Sequence, residues 1–368
     1  MRDSEFAGFS VNRAGSGKQL DEDQAGVVEM PNRMNQDSAS TNARQLPDIL
    51  VAGGSGFVGQ RLVRTLANRG HSVVSMYHHR LPEALSNVFP VCSDMGSAEL
   101  LAAPLRGIST VLHLAWEGGL SGPPEGTGWD PGAPERLSKN IRVLRNLIQA
   151  MEKAGTKRIV LMSALGASRQ TKIPFLMEKY LAEFFVLNSK IPEKIIVRSG
   201  VVSCAQERGD RFVRSIARVM SFPVLYPVPR KSETIAPVLV DDLVEMLADV
   251  CFHEIASPSA VVEIVGGESY RIDDLFKLVC ESVVGGGRLP LKGFLGDSLV
   301  PFFERERRNE PKHQPKLRHF LSLGTQPTRE AAINNPLAEA LPTALHSFRD
   351  ALRGTTEVRS IVEPTQPS

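Results

Sequence analysis

The chain has 368 residues, of which 42% are hydrophobic and 23% charged, and its formal net charge is +2. This composition is ordinary for a globular protein, and the small charge gives no indication of nucleic acid or an anionic membrane as a partner. No apolar run approaches the roughly 18 to 20 residues that cross a bilayer, so no transmembrane segment is predicted. Four separated cysteines without a CxxC pair, and histidines without ligand spacing, indicate reduced thiols and no metal site.

Changes in composition divide the chain into four predicted regions. Residues 1–46 are polar and have neither the apolar centre of a secretory signal nor the Arg-rich character of a transit peptide, so we expect a disordered tail. Residues 47–205 alternate between strand and helix patterns and form the predicted nucleotide-binding core. Residues 206–285 are predicted to be a cap region with returning core elements. Residues 286–368 form a C-terminal extension with a basic segment, which is either a solvated loop or a docking arm, and a last helix.

The pattern of apolar residues predicts an α/β fold. The predicted strands are 48–52, 72–77, 110–115, 158–163, 194–198 and 261–265. The predicted helices are 57–69, 97–105, 135–154, 173–189, 209–221, one that ends at 252 and one that follows Asn335-Pro336. The first five strands are Val/Ile/Leu-rich without polar alternation, which is typical of parallel strands buried on both faces. We therefore expect a doubly wound Rossmann-type sheet with a small C-terminal cap.

The first predicted turn carries three glycines at the spacing GxxGxxG, between a short strand and an amphipathic helix. Gly53 permits the tight turn, Gly56 lets backbone N–H groups approach an anion, and Gly59 lets the helix pack close to the sheet. The positive end of the helix then faces the pyrophosphate of a dinucleotide. The predicted cofactor contacts of this turn are Gly53, Ser55, Gly56, Phe57, Val58 and Gly59.

The end of the second predicted strand bears on the choice of cofactor. A site selective for NAD usually has Asp or Glu there to bind the ribose 2′-hydroxyl. The sequence has no carboxylate between Arg69 and Pro82, whereas Arg80 and the neighbouring His78 and His79 are suited to a 2′-phosphate. The sequence therefore favours NADP(H) over NAD(H).

Several further segments follow one another in the order of a known family. From residue 49 to about 275, roughly three-fifths of the chain, the sequence resembles the atypical and extended short-chain dehydrogenases/reductases. It is similar in particular to the NmrA-like branch and to the dehydrogenase-like accessory subunit of respiratory complex I. The resemblance implies cofactor contacts at Asp94, Leu114, Ala115, Ser163 and Lys179. The other residues that carry it are His113, Asn140, the strand Arg158–Ser163, the segment Ile196–Val202, in which Ser199 replaces a proline, and Pro237–Asp242.

The sequence departs from the family at the catalytic dyad. Active members carry Tyr-x-x-x-Lys on the helix that follows the serine strand, where the lysine lowers the pKa of the tyrosine that exchanges a proton. Here Lys179 is present but Phe175 occupies the tyrosine position. Tyr180 lies about 100° further round the helix and is followed four residues later by Phe184. Ser163 and Lys179 are therefore interpreted as remnants of the dyad region.

We expect little or no dehydrogenase turnover. The resemblance implies a structural role as an accessory or assembly subunit of a larger complex, such as mitochondrial complex I, with partners bound through residues 286–368. It implies a mitochondrial location, with the cytoplasm or a plastid as alternatives. Two other functions remain open: an NADP-dependent reductase or epimerase with a different proton donor, and a regulatory protein that senses NADP(H).

Overall fold

In a computed structural model, the described residues are 47–117 apart from 79 and 94, 138–205, 210–220, 225–228, 234–254, 257–285, 288–291, 320 and 345–353. The described strands are β1 (Ile49–Ala52), β2 (Val73–Tyr77), β3 (Val88–Cys92), β4 (Thr110–His113), β5 (Arg158–Ala164), β6 (Glu193–Ser199), β7 (Val202–Ser203), β8 (Leu225–Pro227), β9 (Thr234–Ile235), β10 (Val238–Leu239), β11 (Ser259–Ile264), β12 (Tyr270–Arg271) and β13 (Leu289–Leu291). The described helices are α1 (Gly59–Asn68), α2 (Lys139–Ala154), α3 (Pro174–Leu187), α4 (Arg211–Val219), α5 (Val240–Phe252), α6 (Ile272–Val279) and α7 (Phe348–Arg353).

Within the described part of the chain, seven strands form one parallel sheet in the order β11-β6-β5-β4-β1-β2-β3. The strand order reverses at β1, where Ala52 lies between Met76 of β2 and His113 of β4. A crevice forms at such a reversal, outside the carboxyl ends of the strands. The predicted doubly wound Rossmann-type fold is confirmed.

Helices cover both faces of this sheet because the central strands are apolar on both sides. Helices α1 and α5 pack on one face, where Leu62 and Leu247 join the core. Helices α2 and α3 pack on the other face through residues such as Leu144 and Ala182. Strands β1 and β4 are buried at every position. This burial fixes the ends of both strands, and with them the position of the crevice.

A further core lies beyond the carboxyl edge of the sheet and forms the cap. Its apolar residues come from α3, α4, α6 and α7, and Phe212, Phe276 and Phe348 are almost wholly buried. Three two-stranded pairings, β7 with β10, β9 with β12 and β8 with β13, accompany these helices. The C-terminal helix is tied to the rest through Asp242, which accepts a backbone hydrogen bond from His346 at 3.0 Å.

The structure differs from the predicted elements at several places, and the short paired strands of the cap were not predicted at all. The predicted helix 97–105 contains only a 3₁₀ turn, Glu99–Leu101, and the rest of the segment is turn. The edge strand β3 and the helix α6 had no counterpart in the prediction. Several predicted features lie outside the described residues, namely the tail 1–46, residues 135–137, the basic segment 305–318 and the helix start at Asn335-Pro336.

Candidate functional site: a dinucleotide crevice

The glycine turn after β1 has the geometry that its sequence predicts. Gly53 has a φ of +87°, and a Cβ atom there would lie 2.7 Å from the backbone nitrogen of Ala115. A Cβ atom on Gly59 would lie 2.1 Å from the carbonyl oxygen of Gly53. Any side chain at these two positions would push α1 and the end of β4 away from the turn. The turn therefore places the N-terminus of α1 directly beside the crevice.

A cavity of about 540 Å³ follows the carboxyl ends of the strands from β2 across β1 and β4 to β7. Its volume falls in the range of small-molecule and cofactor sites. The described residues that line it are Gly53, Ser55, Gly56, Phe57, Val58, Gly59, Met76, Tyr77, His78, Arg80, Ser93, Met95, Leu114, Ala115, Trp116, Val202, Arg211 and Phe320.

Most of the predicted cofactor contacts meet in this cavity. The six residues of the glycine turn line it together with Arg80, Leu114 and Ala115. Asp94 lies outside the described residues, although its neighbour Ser93 is on the wall. Ser163 and Lys179 are not among the lining residues, and as cofactor contacts they stay predictions.

Lys179 is buried beneath the cavity wall. Its Nζ atom donates a hydrogen bond of 2.9 Å to the carbonyl oxygen of Met162 and lies 3.5 Å from the ring centroid of Trp116. Because Trp116 lines the cavity, its indole lies against the ammonium group on one side and the cavity on the other. Burial lowers the pKa of Lys179 to about 7, while Glu178 and Glu183 act in the opposite direction.

Asn140 holds the chain segment that carries Trp116. Its side chain accepts a hydrogen bond of 2.8 Å from the backbone nitrogen of Glu117 and donates one of 2.9 Å to the carbonyl oxygen of the same residue. The amide also contacts the carboxylate of Glu178, to which Ser138 donates a hydrogen bond. Burial raises the pKa of Glu178, and its hydrogen bonds partly offset that effect. Asn140 thus positions the residue next to Trp116.

Ser163 belongs to a buried ionic network. Its hydroxyl donates to the carboxylate of Glu183, which is 3% exposed. Arg198 donates to both oxygens of the same carboxylate, at 2.9 and 2.7 Å, and also approaches Glu263 at 3.6 Å. Such a bidentate pair fixes the carboxylate firmly. The serine hydroxyl is therefore engaged on the α3 side of the sheet.

Phe175 lies in the cap core, where it packs with Ala164, Leu176 and Phe212. Its ring centroid is 5.7 Å from Nζ of Lys179, so the two side chains lie on the same side of α3, and the phenyl ring has no proton to exchange. Tyr180 is half-buried one residue beyond Lys179 and is not on the cavity wall.

His113, at the end of β4, is 1% exposed, and neither of its ring nitrogens has a hydrogen-bond partner among the described residues. Burial, together with the nearby charge of Lys179, lowers its pKa to about 3. The imidazole is therefore neutral near pH 7.

Several residues of the site escaped the sequence analysis, and four of them matter for its chemistry. Trp116, Arg211 and Phe320 line the cavity, and Glu183 holds Ser163. Trp116 directly follows the predicted contacts Leu114 and Ala115, so its position in the sequence could have indicated that it lies at the site. The other three reach the site through tertiary packing, for which the sequence has no local pattern.

Two kinds of site are not found in the part of the chain that the structure describes. No cluster of three or more His, Cys, Asp or Glu side chains there is arranged to bind a metal ion. None of the helices described there is both long enough and apolar enough to span a bilayer.

The fold and the crevice are those of a Rossmann-type dinucleotide-binding protein. In agreement, residues 53–201 match the family model described as NAD(P)H-binding. The matched range begins at the first glycine of the turn, directly after β1, and ends beyond β6.

Two curated relatives match parts of the chain. A 3-beta-hydroxysteroid dehydrogenase of Mycolicibacterium neoaurum is 36% identical over 115 residues, which are 30% of this chain and 30% of that protein. The photosystem II assembly factor Ycf39 of Synechocystis is 25% identical over 169 residues, 41% of this chain and 44% of that protein. The chain thus matches less than half the length of either relative.

A solved structure shows the same fold over a longer range. The triphenylmethane reductase of Citrobacter, complexed with NADP(H), superposes with a TM-score of 0.61 at 16% identity. The superposition covers 83% of this chain and 99% of the reductase. At this identity the likeness shows a shared fold.

Proposed function

We propose that this protein binds NADP(H) without turning it over and acts as an accessory or assembly subunit of a larger protein complex. The observation that carries the proposal is the composition of the nicotinamide half of the cavity. In a Rossmann-type site the adenine ribose lies at the end of β2, so the nicotinamide lies towards β4 and β7. The described residues that line this half are Leu114, Ala115, Trp116, Val202, Arg211 and Phe320.

None of these six side chains both gives up and takes up a proton near neutral pH. Arginine stays protonated in proteins, and the indole of tryptophan only donates. The two groups that support proton exchange in the family are engaged elsewhere, since Ser163 donates to Glu183 and Lys179 donates to the carbonyl oxygen of Met162. A carbonyl compound at the nicotinamide would therefore lack the general acid that its reduction needs.

The choice of NADP(H) rests on the adenine half. Arg80 is exposed on the cavity wall beside His78, and none of the described lining residues is a carboxylate that would oppose a 2′-phosphate. The guanidinium group can hold a phosphate by two parallel charge-assisted hydrogen bonds.

Retention of the cofactor has a physical reason that does not require chemistry. A ligand at about a hundred times its dissociation constant stabilises the folded state by ~2.7 kcal/mol. That is a large part of a typical domain stability of roughly 5–15 kcal/mol. The cofactor would thus act as a structural element of the subunit.

The proposed role in a complex is supported by the relative Ycf39, whose name describes an assembly factor. The resemblance to the accessory subunit of respiratory complex I points to a mitochondrial assembly, with contacts through residues 286–368. These assignments of partner and compartment belong to the proposal.

The test is gentle isolation of the full chain from its native cells. We expect NADP(H) in the released nucleotide by mass spectrometry, a fixed set of co-purifying chains, and no NADPH oxidation above the buffer rate. Free protein without nucleotide or partners would contradict the proposal.

The second candidate is an NADP-dependent dehydrogenase or reductase, which the name of the Mycolicibacterium relative favours. It requires a proton donor outside the six residues of the nicotinamide half. Steady NADPH oxidation with an identified carbonyl or hydroxyl substrate would establish it in place of the accessory role.

A further inference from the structure

We propose that the cap end of the cavity is a second ligand site, which binds an apolar molecule carrying one carboxylate beside the dinucleotide. The site is formed by Trp116, Val202, Arg211 and Phe320. The inference rests on the proposed binding of NADP(H), because the dinucleotide supplies the remaining wall.

The position of Arg211 separates it from the cofactor phosphates. Arg211 is the first residue of α4, which packs against β7 at the end of the cavity opposite to β2. The glycine turn holds the pyrophosphate in the middle of the crevice, and Arg80 stands at the β2 end. Arg211 is thus a second arginine on the described wall, at the end away from the residues that face the phosphate groups of NADP(H).

Arg211 is also available for a ligand. It is exposed, lines the cavity, and has no hydrogen bond or ion pair with any described residue. The N-terminus of α4 is already satisfied without it, because Asp210 accepts hydrogen bonds from the backbone nitrogens of Phe212 and Val213. A guanidinium group without a carboxylate partner, in a cavity whose described wall has no carboxylate, favours an anion.

The walls around Arg211 define the rest of the ligand. Trp116, Val202 and Phe320 present an indole, a branched aliphatic side chain and a phenyl ring. Phe320 is fixed from behind by Phe212, with ring centroids 5.5 Å apart, and is 6% exposed. A hydrophilic sugar would leave its hydroxyl groups facing these apolar surfaces, whereas an aromatic or aliphatic acid would bury its body against them.

The experiment measures binding of 2-naphthoate and its neutral analogue 2-naphthamide to the full chain by isothermal titration calorimetry, with and without saturating NADP⁺. We expect naphthoate to bind the NADP⁺-loaded protein about tenfold more tightly than naphthamide, since a hydrogen-bonded charge pair is lost in the amide. Equal binding of the two compounds, or binding of naphthoate only when NADP⁺ is absent, would overturn the proposal.

Two arginine variants separate this site from the cofactor site. Arg211→Leu should weaken naphthoate about tenfold and weaken NADP⁺ much less. Arg80→Leu should weaken NADP⁺ and leave naphthoate unchanged in the presence of saturating NADP⁺. Arg211→Lys keeps the positive charge and should recover part of the naphthoate affinity. This recovery would show that the weaker binding of Arg211→Leu comes from the lost charge and not from a folding defect.

The variants also distinguish the two proposals. If Arg211→Leu weakens NADP⁺ rather than naphthoate, Arg211 is a cofactor contact and the second site is disproved. If the unaltered protein binds no NADP⁺ at all, the proposed function fails, whatever naphthoate does.

Discussion

The two halves of the crevice differ in the side chains that surround them. The phosphate half keeps every feature that a dinucleotide needs: the glycine turn, the N-terminus of α1 and a cation at the end of β2. In the nicotinamide half, Phe175 lies in the cap core, Ser163 donates to Glu183, and Lys179 lies against Trp116. In such a fold, the groups that bind a dinucleotide and the groups that exchange protons belong to separate residues.

The largest effect on stability and on NADP⁺ affinity is expected for the replacement of Gly53. Replacement by alanine forces a side chain into a left-handed conformation and into contact with Ala115, so we expect a loss of about 3 kcal/mol in the free energy of unfolding. NADP⁺ affinity should fall about 100-fold, because the turn moves away from the phosphates. Urea unfolding and calorimetry measure the two effects.

Gly70→Ala is the matched control for this change. Gly70 has a φ of +90°, but no atom lies within 4 Å of the added Cβ. It should lose about 1 kcal/mol through backbone strain alone and bind NADP⁺ normally. If Gly53→Ala behaves like Gly70→Ala, the close approach at Ala115 does not shape the site.

The next largest loss of stability is expected for changes in the buried ionic network to which Ser163 belongs. Glu183→Gln removes the charge partner of Arg198 in a buried setting, which should cost about 3 kcal/mol of stability and leave NADP⁺ affinity unchanged. Glu263→Gln, at 3.6 Å from the same guanidinium, should cost clearly less. If Glu183→Gln lowers NADP⁺ affinity and Glu263→Gln does not, the ionic network contributes to cofactor binding.

The burial of Lys179 predicts that the free energy of unfolding depends on pH. Burial lowers its pKa to about 7, whereas an unfolded chain keeps the ordinary value of about 10.4. Between these values the unfolded state binds the extra proton, so the folded state gains stability as pH rises. From pH 7 to pH 9 the wild-type free energy of unfolding should rise by about 2 kcal/mol relative to Lys179→Met.

Chemical denaturation across this pH range measures the difference. The exposed Lys172 supplies the control, because Lys172→Met should parallel the wild type at every pH. Parallel curves for wild type and Lys179→Met would mean that the amine reaches solvent, and the separation of Lys179 from the cavity would be wrong.

The smallest loss of stability among the changes at the site is expected for Phe175→Tyr. The new hydroxyl enters the cap core and should cost about 1 kcal/mol, as should Phe212→Tyr in the same core. NADPH oxidation should stay at the background rate, since Ser163 and Lys179 remain engaged. A gain of turnover in Phe175→Tyr, but not in Phe212→Tyr, would show that the nicotinamide half lacks only the phenol.

The sequence predicted the phosphate half well because that half is local. The strand, the three glycines and the helix lie within about twenty residues, and each glycine has a steric reason that can be stated without a structure. The central strands were equally clear, since burial on both faces leaves an unbroken apolar run.

The parts that the sequence did not predict depend on contacts between distant segments. Strand β3 contains Pro90, which a sheet tolerates only at an edge, and its edge position is set by pairing with β2. Glu183 meets Arg198 and Ser163 across α3, β6 and β5, and Phe320 reaches the cavity from a distant segment. No periodicity or motif in the sequence predicts such contacts between distant segments.

The burial of α7 has a consequence for biosynthesis. Phe348 and Leu352 are almost wholly enclosed, and the ring of Phe348 lies 5.8 Å from that of Tyr270. A ribosome delivers the chain from its N-terminus, so strands β1, β2 and β4 emerge more than two hundred residues before this helix. The nascent polypeptide can thus complete its phosphate-binding turn early, while the second core stays open until residues 348–353 have been synthesised.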